Sequence, residues 1–392
     1  MFPVNYNSQK NHKFDIFTIQ FNLFQMKKFI TLFAAALFLF GCTKNESTNN
    51  NTVEPLSRIA FGSCCSQYLS DKKIFSRMLE LNPQLYIAGG DNIYGDFFAL
   101  APGTRDYMEG AYRQLAGDQD WKKLRAKVPM IATWDDHDTG ENDGTSNNPV
   151  KADAKDLFFK FWNIQETDPR HNRPDGGIYG SYYFNDDAHK VQIIMLDLRW
   201  NHTPYKAQGA GAALSGYDTM MSPDATILGA TQWSWLEEEL KKPAKVRIIM
   251  SSLQFNSNYD GGENWSVLPL ERQKMYDLIK STGANGVFFL SGDVHFAEFT
   301  KTQPAGMYPI YDFTSSGITH HEDKVASRND NIRVGNGWQY VNFGFLTIDW
   351  NASPVTVKAQ VFGNTKGSGA NGYLTPDDAK ISHTVTLDEL KF

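Results

Sequence analysis

Residues 85–94 read LYIAGGDNIY, in which a short apolar run leads directly into two glycines, a carboxylate, an amide and a phenol. Four other segments have the same form, an apolar run that ends in potential ligands: IAFGSC at 59–64, MIATWDDHD at 130–138, RIIMSSLQ at 247–254 and VFFLSGDVH at 287–295. Such runs, interleaved with helical patterns, are typical of strands in an α/β sheet. Ligands bind beyond the carboxyl ends of these strands, so we expect the five polar ends to converge.

The rest of the chain supports an α/β architecture. We predict amphipathic helices around residues 74–79, 152–162, 231–241 and 269–281, the last ended by Gly283. Segments rich in Gly, Pro, Asp and Asn at 102–120, 168–180 and 201–226 predict long surface loops. After about residue 306 the alternating pattern predicts antiparallel strands at the end of the sheet.

Composition and charge exclude several classes of protein. The chain has 392 residues, of which 41% are hydrophobic, enough to bury a sizeable core. Its formal net charge of -6 argues against a stable nucleic-acid partner. Three cysteines, Cys42, Cys64 and Cys65, are too few and too clustered for a disulfide framework.

The N-terminal region has the pattern of an export signal. Residues 26–41 begin with Met-Lys-Lys and continue as an apolar run that is too short to span a membrane. The sequence LFGC at 39–42 resembles a bacterial lipoprotein box, which predicts lipidation of Cys42 and a polar tether at 42–56. We expect residues 1–25 to be untranslated or disordered. We expect the mature protein to be anchored by its lipid to a bacterial membrane, such as the outer membrane, where it would face the periplasm or the cell surface. An ordinary secretory signal is the alternative.

The polar strand ends carry the ligand types of a metal centre. Their carboxylates, imidazoles, thiol, phenol and amide are costly to bring together unless a cation neutralises them. Polarisable donors suit a transition metal, with iron as first choice, whereas oxygen donors suit calcium, magnesium or manganese. The first set is Cys64, Asp91, Tyr94 and His295, and the second is Asp91, Asp136, Gln254 and Asp293.

Five motifs resemble, in order, those of the PhoD-type alkaline phosphatases within the calcineurin-like metallophosphoesterases: FGSC at 61–64, GDNIY at 90–94, WDDHD at 134–138, LDLR at 196–199 and SGDVH at 291–295. A more distant similarity is to purple acid phosphatases. The resemblance covers roughly residues 57–320, and we expect a single domain over 57–392. It implies a four-layer α/β/β/α sandwich of two mixed sheets and a site that needs Fe³⁺ and Ca²⁺, with zinc, manganese and magnesium as alternatives.

The resemblance also implies roles for individual residues. It assigns Cys64, Asp91, Tyr94 and His295 to the iron, and Asp91, Asp136 and Asp293 to the second metal. The implied catalytic residues are His137, which contacts the phosphate or protonates the leaving oxygen, Asp138, which orients His137, and Arg199, which holds phosphoryl oxygens.

Some candidates depart from the family pattern. Gln254 stands where purple acid phosphatases have a histidine, and Asn92 and Asp135 are further candidates for contact with metal or substrate. Cys65 directly follows Cys64, so alignment alone assigns the ligating sulfur.

The expected function is hydrolysis of small phosphodiesters, phosphomonoesters or both by a metal-activated hydroxide, carried out by an exported monomer. The alternative is a lipoprotein of the same fold that binds metal or phosphate without turnover.

Overall fold

The computed structural model describes residues 54–69, 72–96, 103–208, 216–259, 261–321, 329–364 and 379–392. The expectations for residues 1–25, for the signal at 26–41 and for lipidation of Cys42 lie outside these ranges, as does the tether before Glu54.

The first sheet has six strands in the order β12-β11-β10-β1-β2-β3. The strands β1, β2 and β3 are parallel to one another. On the other side of β1 the sheet continues with β10, β11 and β12, each antiparallel to the strand before it. These strands are β1 (Arg58–Gly62), β2 (Leu85–Gly89), β3 (Met130–Thr133), β10 (Asn342–Asp349), β11 (Thr356–Gly363) and β12 (Ile381–Thr386). The antiparallel end of the chain confirms the expectation for the residues after 306.

The second sheet also has six strands, in the order β4-β5-β6-β7-β9-β8. Its centre is parallel, and an antiparallel strand closes each edge. The strands are β4 (Gly180–Phe184), β5 (Val191–Met195), β6 (Val246–Met250), β7 (Val287–Ser291), β8 (Ala297–Thr302) and β9 (Ile310–Ser315).

Helices cover the outer faces of both sheets. They are α1 (Lys73–Glu80), α2 (Arg105–Gly117), α3 (Gln119–Lys127), α4 (Asp136–Thr139), α5 (Lys151–Trp162), α6 (Gly229–Lys241) and α7 (Pro269–Ser281). Short 3₁₀ helices lie at Pro169–Asn172, Trp265–Val267 and Leu387–Leu390. The predicted helices correspond to α1, α5, α6 and α7.

Alternate residues of the strands in the first sheet belong to two separate parts of the hydrophobic core. On β1, Ile59 and Phe61 belong to a buried apolar cluster that also contains Ile193 and Ile248 of the second sheet. The intervening Ala60 belongs to a second cluster, shared with α1, α2, α3 and α5. Side chains point alternately to the two faces of a strand, so one face of the first sheet meets the other sheet and its opposite face meets helices. The four-layer sandwich of two mixed sheets is thereby confirmed.

The prediction of a long loop at 102–120 is wrong, because this segment contains α2 and the start of α3. Thr104 and Asp118 cap the two helices with their side chains. The buried face of α2 is formed by Met108, Ala111, Tyr112 and Leu115, at helical spacing. The polar residues that suggested a loop lie at the helix ends and on the exposed face.

Candidate functional site

The backbone bends sharply where the parallel strands end. Cys64, Asp91, Asp293 and His295 all have positive φ values, 61°, 48°, 73° and 59°. Non-glycine residues rarely adopt this region, and such strain concentrates at functional sites. Gly90 precedes Asp91 with φ 109°, and a Cβ there would lie 2.8 Å from the Cβ of Asp135. The loop after β2 therefore lies in close contact with the loop after β3.

One group of potential ligands contains sulfur, nitrogen and oxygen donors. Ligand atoms of Cys64, Asp91 and His295 lie within 4.8 Å of one another, and Cys64 Sγ is 3.3 Å from Asp91 Oδ2. Tyr94 joins the group because its hydroxyl lies 3.0 Å from His295 Nε2. Burial raises the pKa of the Cys64 thiol. Cys65 lies instead in an apolar cluster, where burial raises its pKa to about 12, so Cys64 is the cysteine whose sulfur lies in this group of potential ligands.

A second group consists of four carboxylates. Oxygen atoms of Asp91, Asp135, Asp136 and Asp293 lie within 4.8 Å of one another. Burial, reinforced by the neighbouring negative charges, raises the pKa of Asp91 and Asp293 well above the usual range. One buried oxygen of each of three carboxylates accepts no hydrogen bond from the described residues: Asp91 Oδ1, Asp135 Oδ2 and Asp136 Oδ1. Buried polar atoms normally have a partner, and a cation would supply one here, so these residues fit a metal centre.

His137 lies beside both groups, and its ring is held in place. Its Nδ1 is 2.7 Å from Asp96 Oδ1, and its ring packs on Tyr94 with centroids 4.1 Å apart. A ring nitrogen of His137 lies within 4.8 Å of oxygens of Asp91 and Asp136. Burial lowers the pKa of His137, but the negative charges of Asp136 and Asp96 outweigh this effect and raise the pKa to about 10. The hydrogen bond to Asp96 leaves Nε2 as the nitrogen available for proton transfer.

Asp138 does not have the placement expected of a residue that orients His137. It is fully buried, and its carboxylate accepts hydrogen bonds from the backbone N–H groups of Asn92, Ile93 and Asp135 at 3.0–3.3 Å. Asp138 therefore ties the loop after β2 to the start of α4. The contact with His137 is made by Asp96.

Arg199 lies beside the four carboxylates, as its motif predicted. Its side chain is 1% exposed, and its guanidinium pairs with Asp135 and Glu263 and lies 3.6 Å from Asp136. Carboxylates thus occupy Nε and Nη1, whereas the buried Nη2 has no hydrogen-bond partner among the described residues. Glu263 and Asp143 extend the acidic region, because their oxygens lie within 4.8 Å of one of Asp136.

Gln254 and Asn92 are both buried and hydrogen-bonded through their amide nitrogens. Gln254 Nε2 donates to Glu298 Oε1 at 2.8 Å and to Thr314 Oγ1 at 3.0 Å. Asn92 Nδ2 donates to the carbonyl of Thr133 at 2.9 Å. The bonds of Asn92 connect the loops after β2 and β3.

Sequence reasoning missed four residues around the site: Asp96, Asp143, Glu263 and His320. Asp96 had a signal, since it lies two residues after the motif at 90–94. Glu263 had none, because it is 64 residues away from Arg199 along the chain. His320 follows β9 in a loop, and its ring centroid lies 3.9 Å from that of His295.

Comparison with known proteins agrees with this geometry. A family model described as PhoD-like phosphatase matches residues 59–342. Alkaline phosphatase D of Bacillus subtilis strain 168 is 25% identical over 311 residues, covering 70% of this chain and 52% of that protein, so the chain spans about half the length of this curated relative. A solved structure of PhoD aligns with a TM-score of 0.65 at 20% identity, covering 86% of this chain and 71% of the other. The structural likeness supports the fold.

Proposed function

The chain belongs to the PhoD-like phosphatase family, and from this premise we propose that it is a metal-dependent hydrolase of phosphoric esters. The observation that carries the proposal is the meeting of two ligand groups of different chemistry that share Asp91. Paired cations can neutralise both the attacking and the leaving oxygens of a phosphoryl transfer. A carboxylate common to both groups is suited to hold such a pair.

The two groups would hold different cations. Thiolate, phenolate and imidazole donors at Cys64, Tyr94 and His295 favour iron. The carboxylates of Asp136 and Asp293 favour calcium, and Asp91 would contribute to both sites because it belongs to both groups. When bound, the cations would supply Lewis-acid chemistry, lowering the pKa of a water and offsetting charge on the phosphoryl oxygens.

The protein side chains would handle positioning and proton transfer. His137 would donate a proton from Nε2 to the leaving oxygen, and Asp96 would keep Nδ1 occupied so that the correct nitrogen faces the ester. Arg199 would hold Asp135 and Asp136 at the distances the cations require. A positioned general acid contributes a factor of about 10²–10⁴ to the rate, which is most useful for alkoxide leaving groups.

The proposal is tested by hydrolysis of bis-p-nitrophenyl phosphate and p-nitrophenyl phosphate by the full chain purified in detergent. We expect turnover with iron and calcium bound, loss of turnover after chelation, and recovery when the cations are returned. The ratio of the two rates would give the preference between diesters and monoesters. A folded, metal-loaded protein that binds phosphate but hydrolyses neither ester would instead be the non-catalytic binding lipoprotein.

Export and lipid attachment at Cys42 form the second part of the proposal. Support comes from the sequence, where an apolar run ends directly on Gly41 and Cys42. Among the residues that the structure describes, no helix is both long and apolar enough to cross a membrane. We expect Cys42→Ser to move the protein from the membrane fraction of a bacterial host to the soluble fraction. Unchanged membrane association of this variant would argue against the anchor.

A further inference from the structure

Backbone hydrogen bonds hold the segment 317–321 next to the group of potential ligands that contains Cys64. The N–H groups of Ile318, Thr319 and His320 donate to the carbonyl oxygens of Ser63 and Cys64 at 3.0–3.2 Å. Three consecutive backbone hydrogen bonds leave this segment little freedom. The position of the His320 side chain is therefore set by the same loop that positions Cys64.

The ring of His320 packs against two of the residues assigned to the iron. Its centroid lies 3.9 Å from that of His295 and 4.9 Å from that of Tyr94. The ring is only partly buried, unlike that of Tyr94. Among the described residues, none of the groups that could hold a metal ion includes His320. His320 thus lies next to Tyr94 and His295, outside the groups of close ligand atoms.

A phosphoryl group carries several oxygens that accept hydrogen bonds. Arg199 is 1% exposed and pairs with Asp135 and Glu263 through Nε and Nη1, which leaves Nη2 without a hydrogen-bond partner among the described residues. An imidazole N–H beside Tyr94 and His295 can donate to a further anionic oxygen, and hydrogen bonds to charged groups are among the stronger ones.

We propose that His320 is a substrate-binding residue that donates a hydrogen bond to a non-bridging oxygen of the phosphoryl group. This inference rests on the proposed function, because it places the phosphoester beside the two ligand groups. The inference predicts that His320 contributes to the binding of free phosphate and of phosphoesters. It also predicts that loss of His320 leaves metal binding unchanged.

The test compares His320→Phe, which keeps a flat ring against His295 but removes the N–H, with His320→Gln, which keeps a donor. The matched control is His321→Phe, because the neighbouring His321 ring lies 6.1 Å from that of Tyr340. Each full-length protein is loaded with iron and calcium, its metal content is determined by elemental analysis, and its affinity for inorganic phosphate is measured by calorimetry. KM and kcat are then determined for both nitrophenyl esters.

We expect His320→Phe to weaken phosphate binding about tenfold and to raise KM by a similar factor, with metal content unchanged. His320→Gln should recover part of the loss, and His321→Phe should match the wild type. Unchanged phosphate affinity in both His320 variants, or loss of iron from either, would overturn the inference. A wild-type protein that binds phosphate through His320 but hydrolyses neither ester would refute the proposed function alone.

Discussion

Replacing Asp91 with asparagine should lower turnover of both nitrophenyl esters by about 10³-fold or more and reduce the bound metal. The reason is that, among the residues the structure describes, Asp91 belongs to three of the four groups of close ligand atoms, including the thiol-containing group and the four-carboxylate group. The substitution keeps the shape of the side chain but removes the charge on which both proposed cations depend. The measurements are kcat and metal content by elemental analysis.

A matched control for this variant is Asp312→Asn. Asp312 is also a fully buried carboxylate, but it accepts hydrogen bonds from Ser291 and from the backbone of Phe255 and Asn256. Its replacement should lower stability while leaving metal content and kcat close to those of the wild type. Normal metal content and turnover in Asp91→Asn would contradict the assignment of Asp91 as the shared ligand.

The convergence of the strand ends was predictable because it follows from topology. Parallel neighbours such as β1, β2 and β3 bring their carboxyl ends to one edge, whatever the lengths of the connections between them. Short apolar runs that end in Cys64, Asp91 and Asp136 were therefore sufficient to place these residues together. The family resemblance supplied the order of the layers.

The orientation of individual side chains was less predictable. His137 and Asp138 are consecutive in the short helix α4, and neighbouring residues of a helix point in different directions. His137 and Asp138 were expected to contact each other because they are adjacent in sequence, but the helix directs their side chains apart. The partner of His137 is Asp96, which is 41 residues earlier in the chain.

Arg199 illustrates a second limit. Its motif predicted a position near the site, and the structure places it there. Its role depends on which charges surround it, and Glu263 comes from a distant loop without a motif of its own. Electrostatic neighbours of this kind are set by the tertiary fold, so sequence patterns do not reveal them.

Removal of the cations should destabilise the protein, and the loss should be larger at pH 8.5 than at pH 5.5. Burial raises the pKa of Asp91 and Asp293 above their unfolded values, so the metal-free folded state binds more protons than the unfolded state. The pKa of His137, raised to about 10, acts in the same direction. The metal-free protein is then most stable below the unfolded-state pKa values of these groups, about 3.9 for aspartate and about 6.5 for histidine. Its stability falls as the pH rises above them. Bound cations remove this penalty because they require the carboxylates in their ionised form.

Thermal unfolding with saturating calcium and iron, and after chelation, would measure this effect at the two pH values. A cation present at about 100 times its Kd adds roughly 2.7 kcal/mol, so we expect Tm to fall by about 5 °C or more on chelation at pH 8.5. The Asp91→Asn variant is the internal control, since it lacks one buried carboxylate. Without metal it should be more stable than the metal-free wild type at pH 8.5, and its Tm should depend less on pH. A chelation effect that is absent at pH 8.5, or larger at pH 5.5, would mean that cations do not offset the buried negative charge of this site.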